Sequence, residues 1–210
     1  MPEIDISLLT KNQNLSKFEI TENFTCIRFL DHNKERFELE FNLEKGTSFN
    51  TFLIKNNEEL IIIHPPEKKY SDLFNEIISK FFHQYNLKKI NVISGHINPQ
   101  IIETIKNVNK QFQDLTITCS NPGFKLISEL WNQRNPSLKD FVEIQLPKLN
   151  IVKKELNLDL SNITLELIPI PTARWPGGLI IYERNQEILL SEKIFSAHIA
   201  SEYWLSLIHI

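Results

Sequence analysis

The chain has little glycine, little sulfur and no long apolar run. Only 5 of its 210 residues are Gly, and no Gly-rich loop of the kind that cradles a phosphate occurs. Cys26 and Cys119 are the only cysteines, which excludes a C-x-x-C pair and the disulfide framework of a small secreted domain. Each lies in an apolar, strand-like run (FTCIRF and LTITCS), where a small buried thiol is expected. There is no nucleophile elbow and no H-E-x-x-H. No apolar stretch approaches the roughly 20 residues a membrane span needs. The opening MPEIDISLLTKNQN lacks the basic and apolar regions of a signal peptide, so a cytoplasmic, reduced location without membrane association is expected. Lys and Arg number 23 against 26 Asp and Glu, a net charge of -3 with neither sign in long blocks, which gives no electrostatic footprint for nucleic acid.

What is present suffices for a packed interior: 41% hydrophobic residues, including 14 Phe and 3 Trp. The length fits one domain over residues 1–210. FTCIRFL, RFELEF, TFLIK and ELIIIH are dense in β-branched and aromatic residues and separated by polar turns, which predicts a meander of strands. Leu73, Phe74, Ile77, Ile78, Phe81 and Phe82 fall at the three and four spacing of one helix face and predict a helix from about Ser71 to Tyr85. KINVISG and LTITCS read as buried strands, with a helix opened by Pro99 between them. PGFKLISELW predicts a further helix, and FVEIQL, ITLELIPI, GLIIYE and EILLSE predict strands. A meander feeding β-α units indicates an α/β (α+β) domain with two sheets and flanking helices rather than one doubly wound sheet.

Three segments place polar residues directly after buried strands, where side chains of such folds converge on a crevice. They are ISGHINPQII, IPIPTARWPGG and LLSEKIFSAH, carrying His96, the pair Arg174 and Trp175, and the set Glu192, Lys193 and His198. His64, at the end of ELIIIH, is a fourth candidate. His64, His96 and His198 at strand ends could share one zinc ion, although a strand-end histidine more often bonds backbone groups. Arg174 and Lys193 could together hold an anion or an acidic partner residue. His32, His83 and His209 lie in polar or terminal surroundings and read as solvated.

In order, KGTSFNTFLI, IIIHPPEKKYSDLF, ISGHINPQI, IPIPTARWPGGLIIYE and ILLSEKIFSAH resemble the metallo-β-lactamase-like domain of flavodiiron proteins, especially the cyanobacterial diflavin branch. The resemblance covers nearly the whole chain, and TARWPGG and SEKIFSAH are its most specific pieces. It implies an αββα sandwich, a dimer with a flavodiiron subunit and, in active members, two irons that reduce dioxygen to water with electrons from NAD(P)H through FMN. No segment here resembles a flavodoxin or flavin reductase module, so neither flavin nor iron is expected on this chain alone.

Carried over residue by residue, the implied iron site is degenerate. The family motif H-x-E-x-D-H reads His96, Ile97, Asn98, Pro99, Gln100, Ile101, which leaves the leading histidine alone. A ligand histidine before Trp-Pro is replaced by Arg174, and the metal-bridging aspartate falls at Lys193. Ferrous ions need imidazoles and carboxylates, and Asn98 and Gln100 offer only weak neutral ligands. An ammonium in place of a bridging carboxylate turns attraction into repulsion, about 4 kcal/mol per unit-charge pair at 4 Å and an effective dielectric of 20. The expectation is a non-catalytic subunit or fragment. A metal-dependent hydrolase is disfavoured, because the same substitutions remove the ligands that would generate a metal-bound hydroxide. The closing run SEYWLSLIHI matches no part of the family pattern, so the sandwich is expected to be incomplete at its C-terminus, and to dissolve poorly alone because of exposed apolar surface.

Overall fold

The structure, a computed structural model, describes residues 15–34, 36–37, 40–112, 114–133, 144–161, 163–194 and 200. The closing run SEYWLSLIHI, together with His198 and His209, lies outside the described residues.

The first half is a meander as predicted. Strands β1 (Leu15–Thr21), β2 (Phe24–Asp31), β5 (Thr47–Asn56) and β6 (Glu59–Ile63) pair antiparallel in that order. RFELEF, predicted as one strand, is instead split into β3 (Arg36–Phe37) and β4 (Glu40–Phe41), which pair with each other apart from the main sheet. Its alternating charges suit a short local ribbon better than a strand buried on both faces.

From β6 the pairing turns parallel. Helix α1 (Ser71–Gln84), strand β7 (Lys89–Ile93), helix α2 (Pro99–Gln111), strand β8 (Leu115–Ser120), helix α3 (Asn121–Trp131) and strand β9 (Lys148–Val152) complete a seven-stranded sheet in the order β1-β2-β5-β6-β7-β8-β9. The first three residues of the predicted strand FVEIQL lie outside the described residues; residues 144–147 have no strand pairing, and β9 begins at Lys148. Pro147 lacks the N–H that a ladder requires, so pairing starts only after it.

Strands β10 (Leu156–Asp159), β11 (Thr164–Pro169), β12 (Leu179–Glu183) and β13 (Ile188–Leu190) form a second, antiparallel sheet. Alternation along the strands explains the layering. Leu60 and Ile62 of β6 join Phe74, Ile77 and Ile78 of α1 and Ile102 and Ile105 of α2 in a core between sheet and helices. Ile61 and Ile63, one residue out of phase, join Leu165, Leu167, Leu179 and Ile181 in a second core between the sheets. This is the mixed α/β sandwich the pattern predicted. Among the described residues all three α-helices serve the larger sheet, and none contributes to the core between the sheets. Cys26 and Cys119 are free thiols, 1% and 0% exposed, as read from their apolar runs.

Candidate functional site

The parallel strands deliver their chain ends to one edge of the sandwich, where loops after β6, β7 and β13 meet the Pro-rich loop between β11 and β12. His64 ends β6 in a left-handed conformation at φ 57°, held by its amide bonding the Ile93 carbonyl at 3.0 Å and by Thr51 Oγ1 donating to its carbonyl at 2.7 Å. Left-handed backbone is uncommon for histidine and marks a position the surrounding structure over-determines. Its ring is buried, edge-on to Phe52, and neither ring nitrogen has a hydrogen-bond partner among the described residues. Glu192, also left-handed at φ 54°, brings its Oε1 to 3.4 Å from His64 Nδ1, an approach without hydrogen-bond geometry.

His96 leaves β7 beside it, 6% exposed, with Nε2 3.0 Å from Asn98 Nδ2. Burial first, and then the Lys193 ammonium, push the His64 imidazole down to about 3. The same causes, with His64 as a further neighbour, bring His96 to about 3 as well. Both rings are therefore neutral, and Lys193 lies close enough to bear on each. Its Nζ also sits 5.6 Å from the centre of the Phe49 ring. Glu192, Lys193, Trp175 and Leu179 line a void of only about 10 Å³, roughly one water's worth.

Close backbone approach makes this edge so tight. A Cβ on Gly95 would lie 2.7 Å from both the amide nitrogen and the carbonyl oxygen of Leu179, and 2.9 Å from Glu192 Oε2. A Cβ on Gly177 would meet the Gly95 carbonyl at 3.2 Å and Gly123 Cα at 3.3 Å. Ser120 fastens the contact: its hydroxyl donates to the Gly177 carbonyl at 2.9 Å and accepts from the Gly123 amide at 3.2 Å, capping α3. Sequence reasoning missed this clasp and Thr51. The available signal was the placement of three of the 5 glycines directly after strands or in the Trp-Pro turn.

The positions that the resemblance implies to be substituted ligands have other occupations. Asn98 is the N-cap of α2 and accepts from the Ile101 amide at 2.9 Å. Ile101 is 6% exposed within the helix-side core, and Gln100 is exposed in the first turn. Arg174 is exposed, its guanidinium 4.9 Å over the Trp175 ring. The pairing of Arg174 and Lys193 in one pocket with His96 is thus not what the fold builds: the Pro-rich turn carries Arg174 outward, and Lys193 alone lies with the histidines. His64 and His96 do come together, while their imagined third partner, His198, lies outside the described residues. Among the described residues no group of three or more His, Cys, Asp or Glu could hold a metal ion. The donor set among the described residues, two neutral imidazoles and one carboxylate beside an ammonium, does not fit a pair of irons. His32 and His83 are exposed, as read.

The model of the ODP family beta lactamase matches residues 47–209. The chain belongs to that family. Among curated relatives it is 33% identical over 195 residues to diflavin flavoprotein A 6 of Nostoc sp., covering 92% of this chain and 32% of the relative. Among solved structures it is similar to a metal-soaked Flv1 flavodiiron core from Synechocystis sp., with TM-score 0.77, 27% identity, and coverage of 90% of this chain and 44% of the other. It is also similar to a fragment, 1–254, of diflavin flavoprotein A 5 from Nostoc sp., with TM-score 0.73, 29% identity, and coverage of 90% and 69%. The chain spans about a third of the length of the curated relatives it matches. The resemblance read from TARWPGG and SEKIFSAH, and the flavodiiron-type β-lactamase-like fold it implied, are thereby established.

Proposed function

We propose that this chain is a non-catalytic member of the diflavin flavoprotein lineage, free of iron, that works in a homo- or heterodimer with a flavodiiron subunit. The observation that carries this is Lys193, whose positive charge bears on both His64 and His96 where a metal-bridging carboxylate is implied by family resemblance. Asn98 and Ile101 support the reading, since one caps α2 and the other packs in the core, and neither is available as a ligand. Any transfer of electrons from NAD(P)H through FMN to dioxygen belongs, on this reading, to the partner. Cytoplasmic residence agrees with buried free thiols and with the absence, among the described residues, of any helix long and apolar enough to cross a membrane.

The decisive experiment measures metal by inductively coupled plasma mass spectrometry and flavin by absorbance on one purified sample. Negligible iron and flavin are expected, and about two irons per chain, the content of a di-iron carboxylate site, would overturn the proposal. One zinc per chain would instead point to His64 and His96. Size-exclusion chromatography with light scattering, alone and mixed with a full-length diflavin flavoprotein, tests the dimer. A second reading, an anion- or partner-binding module, now rests on Lys193 alone, and binding of inorganic phosphate that disappears in Lys193→Met would favour it.

A further inference from the structure

The two main sheets end in the strands β1, β9, β10 and β13, and an unpaired edge presents a row of backbone N–H and C=O groups to any strand that can join it. Natural edges are protected by shortness, net charge, proline or a bulge. β9, β10 and β13 have 5, 4 and 3 residues, whereas β1 has 7. The sequence of β1, LSKFEIT, contains no proline, and its charges cancel, because Lys17 Nζ lies 2.6 Å from Glu19 Oε1. Its one irregularity, a register shift between Glu19 and Thr21, leaves Leu15 to Glu19 in unbroken pairing with β2. Among the described residues no strand pairs with the outer side of β1.

The residues along β1 make it complementary to itself. A two-fold axis relating two antiparallel copies of one strand must centre on a residue, because opposed residues both turn their N–H and C=O toward the partner or both away from it. Centred on Phe18, the pairing sets Lys17 opposite Glu19 of the second copy, and Glu19 opposite its Lys17. Lys17 and Glu19 share the face of β1 whose partners on β2 are Ile27 and Thr25, so the ion pair within each strand meets its mirror image in a ring of alternating charge. On the other face Phe18 meets its own counterpart, each ring carrying an Arg28 guanidinium 5.1 Å from its centre. Opposite charges and aromatic rings directly across an antiparallel pair are combinations that stabilise it. The other edges lack this exchange: β9 holds no acidic residue, β10 no basic one, and β13 no charge at all.

We propose that the outer edge of β1 is a homodimer surface, on which the β1 strands of two copies of this chain pair antiparallel about Phe18 and join their seven-stranded sheets. The proposal rests on the dimer reading above, to which it gives a face and a partner. A metal-free monomer would sink the edge pairing and leave the metal-free reading standing, so the two fail separately. One strand pair is a small interface, which places the dissociation constant on the order of 10 μM.

The test is sedimentation-velocity ultracentrifugation of the full chain at low salt, from about 1 μM to about 1 mM. Wild type is expected to dimerise reversibly. Lys17→Glu and Glu19→Lys each set like charges across the axis and should weaken the homodimer about tenfold. Mixed in equal amounts, the two variants restore opposite signs at both positions and should form a heterodimer of near wild-type affinity. The double variant Lys17→Glu/Glu19→Lys should recover the homodimer in the same way. Glu19 is 61% exposed, so Glu19→Lys and its recovery in the double variant keep the test sound if Lys17→Glu alone does not fold. Wild type that stays monomeric throughout the range, a homodimer that withstands both reversals, or folded variants that show no recovery would each overturn the proposal.

Discussion

At one end of the sandwich Glu192 and Lys193, beside His64 and His96, line a void of about 10 Å³, whereas at the other end three turns, at Asn23, Asn56 and Ser161, stand apart around about 320 Å³. The closed end is made by backbones in contact, Gly95 against Leu179 and Gly177 against Gly123, with neutral histidines packed behind them. The open end is bridged instead by the Ser161 amide and hydroxyl, both on Asn56 Oδ1. Close backbone packing leaves no room to adjust at the first end. The second end keeps an open crevice.

The sharpest way to break this comparison is Gly95→Ala, because the added methyl meets backbone atoms of Leu179 at 2.7 Å and cannot be relieved by a rotamer. Overpacking of this kind costs about 3 kcal/mol, and a urea midpoint equal to wild type would show that the closed end is softer than described. Acid should act next. His64 and His96 sit at about 3 in the fold and titrate near 6.5 when unfolded, so the unfolded chain binds more protons between those values. Stability contributed by keeping them neutral is present above pH 6.5 and is lost as pH falls toward 3, by about 1.4 kcal/mol per pH unit per ring. His64→Asn, which tolerates the left-handed backbone, should flatten the fall in melting temperature between pH 7 and pH 5. An unchanged slope would mean that His64 is not a buried neutral ring.

A smaller loss is expected from Ser120→Ala, which removes the bond to Gly177 and the cap on α3 together, about 1 to 2 kcal/mol in chemical denaturation. The smallest belongs to the open end. Asn57→Gly keeps the left-handed turn and should shift stability by no more than about 0.5 kcal/mol. A loss of several times that would show that the turn-to-turn bridge carries the fold and is not a tolerant rim.

Regular elements were legible where one pattern governed them. The α1 face of Phe74, Ile77, Ile78 and Phe81 and the cap-and-proline start of α2 at Asn98 and Pro99 follow from spacing and local hydrogen bonding, which act within a few residues. RFELEF misled, because a run of strand-forming residues says nothing of whether a neighbouring ladder exists for it to join. Of the site, the candidate residues were visible as polar groups after buried strands, and the approach of His64 to His96 was anticipated, but which basic residue joins them was not. His64 and His96 meet because β6 and β7 are parallel neighbours, and Arg174 departs because its turn faces solvent.

Residue order alone carried the class of fold and the burial of both thiols, and through the family resemblance it implies that Asn98, Gln100, Ile101, Arg174 and Lys193 stand at ligand positions. These are properties of residue identity and short-range periodicity. Folding in three dimensions settled that Lys193 and not Arg174 lies by the histidines, that Gly95, Gly123 and Gly177 share one contact, and that Asn23, Asn56 and Ser161 surround one crevice. Each of those joins residues far apart along the chain, and pairing of distant segments is set by sheet register and packing, which no local pattern encodes.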